Sequence, residues 1–555
     1  MSEEAVAPPH EPVGTNVKET IESILVAFIL AFIFRAFVVE AFVIPTGSMA
    51  TTLLGAHMRF RCPDCGYVFD VNYSPPGGSD DTVVPPDEFT NHDIHCPNCG
   101  YLVVPQGRRG RSSVAPGAVE QPIHYGDRIL VLKYAYLLHP PKRWDVVVFK
   151  SPSMPGPGEP GVSRYTQNFI KRLVGTPGDT LMVLDGDLYL KDAAGNWQIQ
   201  RKPAAAQESL WRLIYDNDFY PKGLDRYDGK GWTQPWHLQQ GTGWDFGHGA
   251  ADGRAFRFEG KSPATIGFDS SDSPYAQSTD GYLVYDSQAS VDQPLPPRPN
   301  GEVAVSDVKL ELSYQRVSGQ GPLDLMLKKR GHEFTVELSS DSVTLLHSRP
   351  GGKTTTDAGP IKLSDIGVSA GGPVWVQFAN VDYRVSLRLN GKEVLATTPE
   401  QYSPDVERLR QEYDDRLTPP RPRIEITAAD QTCALSHIGL WRDIFYTNGS
   451  EGMIYAMPRN PVHLHHAGEK REDGPGVYDD DEFFVMGDNS ADSYDARFWS
   501  DEIALPHEHL DTEGGRVPGR FILGNAFFVY WPSGYRPVAG WPPLIPDFGD
   551  MRFIH

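Results

Sequence analysis

The sequence has little positive charge and little cysteine. Its 555 residues include 51 lysines and arginines against 72 aspartates and glutamates, so the formal net charge is −21. Because phosphate binding requires clustered basic side chains, this balance and the lack of any basic stripe argue against a nucleic-acid partner. Only five cysteines are present, and four of them form two Cys-x-x-Cys pairs. No internal repeat is visible.

Glycine and proline are plentiful, with 54 and 48 residues. This composition favours many short strands and turns over long helices, and the length suggests two to four domains. Short apolar or alternating runs separated by Gly-Asp or Pro, from His124 to Leu190 and again near the end of the chain, are typical of strands. We therefore predict a mainly β protein.

One long apolar segment lies near the start of the chain, from Ile21 to Phe42. Its length is that of a membrane-spanning helix, provided that Arg35 reaches the interface. We predict a single transmembrane anchor over residues 21–42, preceded by a disordered tail over residues 1–20. A buried core helix is the alternative. A cleaved secretory signal fits less well, because the start lacks a basic region and no clean small-x-small site follows.

A large polar-apolar alternating region follows, from about Pro203 to Arg471. Its spaced strand patterns with Asn-Gly and Gly-Gly turns predict an antiparallel β-sandwich, including a hairpin about Asn390-Gly391. The pattern loosely resembles sandwiches of the concanavalin or laminin-G type. Such folds often bind glycans, so a glycan or protein ligand is one hypothesis, and a rigid spacer is the other.

The stretch "FVIPTGSMATTL" presents Ser48 directly after the apolar segment. A serine nucleophile needs a base, and none of the 17 histidines lies in an obvious His-Asp motif. A buried lysine that is neutral at working pH is the other option. In the strand "NFIKRLVG", Lys171 shares a face with Phe169 and Leu173, whereas Arg172 stays protonated and is unsuitable.

Three segments together resemble, in order and type, the signature boxes of bacterial type I signal peptidases. They are "IPTGSM", "NFIKRLVGTPGD" and "GDNSADSYDAR", and "YGDRILVLK" and "RWDVVVFK" match the boxes between them. The resemblance implies a signal-peptidase or LexA-like β-barrel body, partly open, that binds an extended peptide by strand addition. It also implies removal of signal peptides from exported preproteins at small-x-small sites.

The resemblance assigns a role to each matching residue. Ser48 would be the nucleophile and Lys171 the general base, while the Thr46 hydroxyl and the Ser48 backbone N–H would form the oxyanion hole. The Lys171 amine would be oriented by Ser493, with Asp495 and Arg497 bracing that segment. The residues implied to line the pockets for small substrate side chains are Ile44, Pro45, Met49, Leu53, Phe169 and Ile170.

The chain departs from the family pattern at three positions. Thr51 stands where the family usually has proline, Ala496 where it has serine before the arginine, and Ser500 where it has glycine. None of these changes removes a group with a direct chemical role, so activity is expected.

The paired cysteines, Cys62, Cys65, Cys96 and Cys99, occur as CPDCG and CPNCG. This spacing predicts a zinc-ribbon-like insert with a structural zinc bound by four thiolates. Disulfides are the alternative, because the segment after the anchor should face an oxidising compartment. No cofactor is expected for the catalysis itself.

These predictions divide the chain into an anchor, a catalytic body in three parts and two inserts. The predicted boundaries are a tail at 1–20, an anchor at 21–42, catalytic parts at 43–60, 120–202 and 472–555, a zinc-ribbon-like insert at 61–104 and a sandwich insert at 203–471. The predicted function is a serine endopeptidase, signal peptidase I, anchored in the inner membrane with its catalytic part on the extracytoplasmic side. Its expected partners are signal peptides and membrane lipid.

Two other functions are alternatives to this one. The first is a membrane-tethered glycan-binding or adhesion protein with a non-catalytic signal-peptidase-like body. The second is a self-cleaving Ser-Lys protease of the repressor type, which the acidic chain and the anchor make implausible.

Overall fold

The computed structural model describes residues 17–72, 94–104, 119–120, 126–152, 167–224, 231–247, 253–269, 286, 304–368, 371–448, 452–471, 475–505, 510–532 and 546–555. Strands dominate these residues, so the predicted mainly β class is confirmed. The predicted tail over residues 1–20 lies outside the described residues except for 17–20, which are helical.

The elements occur in three groups along the chain. The first group is α1 (Val17–Phe37), β1 (Val39–Val43), β2 (His57–Arg61), β3 (Val68–Asn72), β4 (Ile94–His95), β5 (Leu102–Val104), β6 (Val119–Glu120), β7 (Arg128–Leu132), α2 (Ala135–Leu138), β8 (Val146–Lys150), β9 (Asn168–Gly175), β10 (Thr180–Leu184), β11 (Asp187–Lys191), β12 (Trp197–Ile199) and α3 (Ala204–Leu210). The second group is β13 (Arg212–Asp216), β14 (Trp236–Gln240), β15 (Trp244–Asp245), β16 (Ala255–Gly260), β17 (Ala264–Phe268), β18 (Val308–Gly319), β19 (Leu323–Lys329), β20 (His332–Leu338), β21 (Ser342–Ser348), β22 (Thr354–Lys362), β23 (Val374–Val381), β24 (Arg384–Leu389), β25 (Lys392–Ala396), α4 (Val406–Asp414), β26 (Arg423–Ala428) and β27 (Gln431–Arg442). The third group is β28 (Val462–His463), β29 (Glu482–Met486), β30 (Ile503–Leu505), β31 (Leu510–Thr512), β32 (Val517–Pro518), β33 (Ile522–Trp531) and β34 (Arg552–Phe553).

Helix α1 covers most of the apolar segment for which an anchor over residues 21–42 is predicted. The helix ends at Phe37, and the last part of the predicted anchor belongs to strand β1. Among the described residues no helix has the length and apolarity needed to cross a membrane.

One antiparallel sheet contains strands from both ends of the chain, in the order β1-β7-β33-β8-β9-β29-β32, with β34 beside β33. The sheet is open, with β1 at one edge and β32 at the other, so it forms a half-barrel and not the predicted barrel. Strands β8 and β9 pair in the register Val147↔Lys171, and β9 continues to β29 through Arg172↔Met486. We call this sheet and its loops the half-barrel.

Two larger sheets form the middle region. Their strand orders are β15-β16-β27-β18-β23-β24-β25, with β13 also paired to β27, and β14-β17-β26-β19-β20-β21-β22. Alternate residues of both sheets are buried in one hydrophobic cluster, as Leu310 and Phe378 are in the first sheet and Leu325 and Val336 in the second. We call this two-layer region the sandwich.

Buried ion pairs connect the half-barrel side of the chain with the sandwich. The Lys329 ammonium of β19 pairs with Asp307 and lies 4.0 Å from Asp187 of β11. The Lys202 ammonium pairs with Asp382 and lies 2.8 Å from Asp443. Since unpaired buried charges are costly, these ion pairs between distant segments favour one relative placement of the two regions.

Candidate active site

The nucleophile turn follows the edge strand β1. After Val43, the Ile44 backbone N–H donates to the Asp127 carbonyl at 2.9 Å, and a 3₁₀ turn then covers Gly47–Met49. Gly126 permits this approach, because a Cβ there would lie 1.7 Å from the Ile44 carbonyl oxygen. The strand therefore delivers Ser48 to a fixed position beside the half-barrel.

The side chains of Ser48 and Lys171 meet, although 123 positions separate them in the sequence. The Lys171 Nζ lies 2.5 Å from the Ser48 Oγ. Lys171 is only 5% exposed, and this burial lowers the pKa of its ammonium to about 8 against the opposing effect of Asp495. Arg497 lowers the pKa further. With this pKa about a tenth of the amine is neutral at pH 7, far more than for an ordinary lysine, and this neutral form can accept a proton from the serine.

Asp495 and Arg497 form a buried pair behind this contact. The Arg497 Nη2 donates to the Asp495 Oδ2 at 2.7 Å, and its Nε donates to Oδ1 at 2.8 Å. Burial would raise the pKa of Asp495, but the Arg497 guanidinium outweighs it and the pKa is lowered. The Asp495 carboxylate also accepts the Gly487 backbone N–H at 2.9 Å. The pair therefore connects the end of β29 to the segment that carries Ser493.

Ser493 and Thr46 make fewer contacts than the resemblance implies. The Ser493 Oγ is buried and has no hydrogen-bond partner among the described residues, so the predicted bond to the Lys171 amine is not formed. Catalytic hydrogen bonds are often long before substrate binds, which leaves the orienting role a prediction. Thr46 is exposed, and its hydroxyl does not cap the 3₁₀ turn.

The six predicted pocket residues divide into three environments. Ile44, Met49 and Leu53 are buried in the core beneath the nucleophile turn, and Ile170 packs against the same cluster. Phe169 packs against Trp499 with a ring-centroid distance of 6.3 Å. Pro45 is exposed. The buried residues pack in the core beside the nucleophile turn, whereas the half-buried and exposed residues lie closer to solvent.

Two residues with large roles in the geometry were not assigned to the site from the sequence. Arg172 and Asp488 form a fully buried bidentate pair, with both N–O distances at 2.7 Å. The Arg172 Nη1 also donates to the Trp144 carbonyl at 2.8 Å. Successive side chains of a strand point to opposite faces, so Arg172 points away from Lys171. Its guanidinium therefore needs a partner of its own inside the protein. This pair ties the lysine strand to the turn after β29.

Asn489, in the turn after β29, contacts the nucleophile turn directly. Its backbone N–H donates to the Ser48 carbonyl at 3.1 Å, and its side-chain Nδ2 donates to the Gly47 carbonyl at 3.2 Å. The close approach requires Gly487, since a Cβ there would lie 2.4 Å from the Ser48 carbonyl oxygen. The turn after β29 thus sets the backbone around the serine.

The four paired cysteines are buried and lie together. Their Sγ atoms are all within 4.8 Å of one another, and the Cys62–Cys99 and Cys65–Cys96 distances are both 3.6 Å. A tetrahedral zinc with Zn–S bonds of about 2.3 Å would separate its sulfur ligands by about 3.8 Å. All five cysteines are free, so the disulfide alternative is not formed here. The donor set and its spacing therefore fit zinc.

The cysteine turns also contact the segment that follows β13. The buried Asp64, inside the first turn, accepts the backbone N–H groups of Gly223 and Leu224 at 2.9 and 3.1 Å. The buried Asn98, inside the second turn, accepts the Asp216 N–H at 2.7 Å and donates to the Phe219 carbonyl at 3.1 Å. These bonds join the cysteine region to the first strand of the sandwich.

Comparison with known families finds a match over two parts of the chain that include strands of the half-barrel. Residues 110–233 and 455–531 match the profile of the family described as signal peptidase, peptidase S26. The match includes Lys171, Ser493, Asp495 and Arg497, whereas Ser48 lies outside it. This match supports a peptidase hydrolase.

Individual relatives agree with this class. Signal peptidase I of Rickettsia typhi is 23% identical over 32% of this chain and 44% of its own length. Signal peptidase I of Pseudomonas aeruginosa is 38% identical over 13% of this chain and 22% of its own length. The probable signal peptidase I-1 of Synechocystis is 38% identical over 12% of this chain and 33% of its own length. The chain spans less than half the length of these relatives, and together they support a signal peptidase family for it.

Similar solved structures each match only a fraction of the chain. A carbohydrate-binding module from Bacillus subtilis is 12% identical, with a TM-score of 0.22 over 37% of this chain and 94% of the module. Sheep galectin-11 in complex with glycerol is 11% identical, with a TM-score of 0.17 over 26% of this chain and 98% of the galectin. TM-scores this low do not establish a common fold.

Proposed function

We propose that the protein is a serine endopeptidase that removes N-terminal signal peptides from exported preproteins at small-x-small sites. The observation that supports it most is the 2.5 Å contact between the Ser48 Oγ and the Nζ of a buried lysine whose pKa is lowered to about 8. The family match over the lysine strand and the Asp495 segment agrees with it.

In the proposed reaction, neutral Lys171 accepts the Ser48 proton as the Oγ attacks the scissile carbonyl carbon. The oxyanion of the tetrahedral intermediate accepts hydrogen bonds from the Ser48 N–H and the Thr46 hydroxyl. The Lys171 ammonium then gives its proton to the leaving amine, and the intermediate collapses to an acyl-enzyme. A water, deprotonated by Lys171, attacks the ester carbonyl. The ester C–O bond then breaks, and the Lys171 ammonium returns the proton to the Ser48 oxygen, which restores the serine hydroxyl and the neutral amine.

The proposed substrate is an extended peptide that adds a strand at the β1 edge. Strand β1 has a sheet partner on one side only among the described strands, and it leads directly into the nucleophile turn. Added backbone hydrogen bonds would hold a peptide there, while Pro45, Phe169 and Ile170 limit the size of its side chains. The proposed place of action is the extracytoplasmic face of the inner membrane, with lipid as a partner, and this part depends on the family alone.

The test is cleavage of a purified preprotein by the full chain. Ser48→Ala and Lys171→Ala should each lower the cleavage rate by about a thousandfold or more, because the nucleophile or its base is lost. Ser364→Ala and Lys191→Ala, both at exposed positions, should retain the normal rate. Equal cleavage by all variants would contradict the Ser-Lys mechanism.

A second candidate, a glycan-binding or adhesion protein with a non-catalytic body, is favoured by one feature of the sandwich. A cavity of about 320 Å³ on its first sheet is lined by Trp375 and Trp441 together with Asp216 and Glu311. Indole faces beside hydrogen-bonding side chains suit sugar rings. Absence of preprotein cleavage by the unmodified chain, with retained binding to immobilised polysaccharide, would favour this candidate.

We further propose a structural zinc held by Cys62, Cys65, Cys96 and Cys99, since their spacing fits a tetrahedral thiolate site. It would order the turns whose Asp64 and Asn98 contact the segment after β13. Metal analysis of the purified chain should find one zinc per molecule, and Cys62→Ser should release it. Zinc-free protein with thiols that do not react would contradict this assignment.

A further inference from the structure

One described residue from the middle region lies next to the nucleophile turn. The Asp286 Oδ1 accepts a hydrogen bond from the Asn489 Nδ2 at 2.5 Å. Asp286 is 3% exposed and Asn489 is 1% exposed, so water does not compete effectively for this bond. The two residues are 203 positions apart, and Asp286 lies within the region predicted as the sandwich insert.

The same amide group holds the backbone of the turn. The Asn489 Nδ2 also donates to the Gly47 carbonyl at 3.2 Å, while the Asn489 backbone N–H donates to the Ser48 carbonyl at 3.1 Å. Both hydrogens of one side-chain amide are therefore directed, one to Asp286 and one to Gly47. Losing the carboxylate would free the amide to rotate.

The Gly47 carbonyl matters because of the peptide bond that it belongs to. A trans peptide unit is planar, so the carbonyl of Gly47 and the N–H of Ser48 point in opposite directions from one rigid plane. Fixing the carbonyl therefore fixes the direction of the N–H. That N–H is one of the two proposed oxyanion donors.

We propose that Asp286 is a positioning residue for the oxyanion hole, acting through Asn489 and the Gly47–Ser48 peptide. The insert thereby contributes to catalysis by the half-barrel, and this inference rests on the proposed Ser48-Lys171 chemistry. Arg212, also buried and from the same region, supports the far side of the turn, where its Nη2 donates to the Ala50 carbonyl at 3.3 Å.

The protonation state of Asp286 suggests a sharp test. Burial and the nearby Asp492 raise the pKa of Asp286 to about 8, so its neutral form is substantially present at pH 7. An asparagine has the shape of that neutral form and keeps an acceptor oxygen for the Asn489 amide. A leucine has a similar shape but offers no acceptor.

The experiment measures kcat and KM for preprotein cleavage by the full chain. Asp286→Leu and Asp286→Ala should lower kcat by about ten- to a hundredfold with KM unchanged, because an oxyanion donor acts on the transition state. Asp286→Asn should stay within about threefold of the unmodified kcat, since it keeps the acceptor. Asp365→Ala, at an exposed position of the sandwich, is the matched control and should not change kcat.

Three outcomes would overturn the inference. These are an unchanged kcat in Asp286→Leu, an effect confined to KM, and an Asp286→Asn variant as slow as Asp286→Leu. If Asp286→Ala does not fold, as judged by its thermal melting, the Leu and Asn pair still decides. Failure of the proposed function has a different signature, in which Ser48→Ala cleaves as fast as the unmodified chain.

Discussion

The half-barrel and the sandwich differ in how their buried lysines are partnered. Strand β19 of the sandwich buries Leu323, Leu325 and Leu327 in alternation and ends at the buried Lys329, whose ammonium pairs with Asp307. Strand β9 of the half-barrel buries Lys171, whose amine lies 2.5 Å from the Ser48 hydroxyl, beside Arg172 and Leu173. Burial of charge costs free energy unless the charge is paired. A buried lysine in contact with a serine hydroxyl and, among the described residues, not with a carboxylate is where chemistry is expected, and the family match covers Lys171.

The sharpest test of this comparison breaks a buried pair of the half-barrel. Asp488→Asn should lower the free energy of unfolding by about 3–5 kcal/mol, because it leaves the fully buried Arg172 without a counter-charge. Urea unfolding at neutral pH measures the loss. The matched sandwich variant is Glu393→Gln, which breaks the exposed Arg384–Glu393 pair and should cost less than about 1 kcal/mol. Similar losses in both variants would contradict a special cost of breaking the buried pair beside the lysine strand.

A core substitution in the sandwich should separate stability from activity. Leu325→Ala removes a side chain with 0% exposure and should cost about 2–5 kcal/mol of unfolding free energy through the cavity that it leaves. Below the unfolding transition, kcat for preprotein cleavage should be unchanged, because Leu325 does not contact the nucleophile turn. Leu417→Ala, at an exposed position, is the control. A large fall in kcat for Leu325→Ala in folded protein would contradict this separation.

The pH dependence of cleavage should report the buried lysine of the half-barrel. Lys171 must be neutral to accept the serine proton, and burial lowers its pKa to about 8. Below this pH the neutral fraction falls, so kcat/KM should drop by about tenfold per pH unit and level off above pH 8. The measurement is kcat/KM from pH 6 to pH 9.5. A flat profile over this range would exclude Lys171 as the base.

The smallest expected effect lies at a sandwich turn. Gly391 has φ of +80°, next to Asn390 at +49°, so the hairpin between β24 and β25 uses left-handed backbone at both positions. Gly391→Ala should cost about 1 kcal/mol of unfolding free energy without changing kcat. Gly372→Ala, where no heavy atom lies within 4 Å of the new Cβ and φ is not left-handed, should be close to neutral. A loss above about 3 kcal/mol at Gly391 would indicate packing that the turn does not explain.

Local patterns were sufficient for much of the fold. The Asn390-Gly391 hairpin is formed as predicted, with Leu389 opposite Lys392, because turn chemistry acts over a few residues. The predicted end of the anchor at residue 42 was wrong, because residues 39–43 form a strand that pairs with β7. An apolar run alone does not distinguish a helix end from an edge strand. Closure of a barrel likewise depends on which strands meet, and the sheet remains open.

The site was only partly predictable for a related reason. Motif order identified Ser48 and Lys171 as candidates, yet their 2.5 Å contact needs β1, β8 and β9 in one sheet. The partners of Arg172 and Asn489 could not be inferred, because Asp488 is 316 positions from Arg172 and Asp286 is 203 from Asn489. Neither pairing belongs to a local motif. The missing Ser493 contact also depends on side-chain placement that no spacing specifies.

The sequence by itself determined the chemical types and the local elements: an acidic, mainly β chain, a serine in a turn, a lysine in a strand and four cysteines in two tight turns. These follow from residue chemistry and from interactions within a few positions of the chain. Only the tertiary structure decided that Lys171 is buried against Ser48, that the sheet is a half-barrel, and that Asp286 reaches the nucleophile turn. The physical reason is that pKa values, hydrogen-bond partners and sheet closure depend on groups brought together from distant parts of the chain.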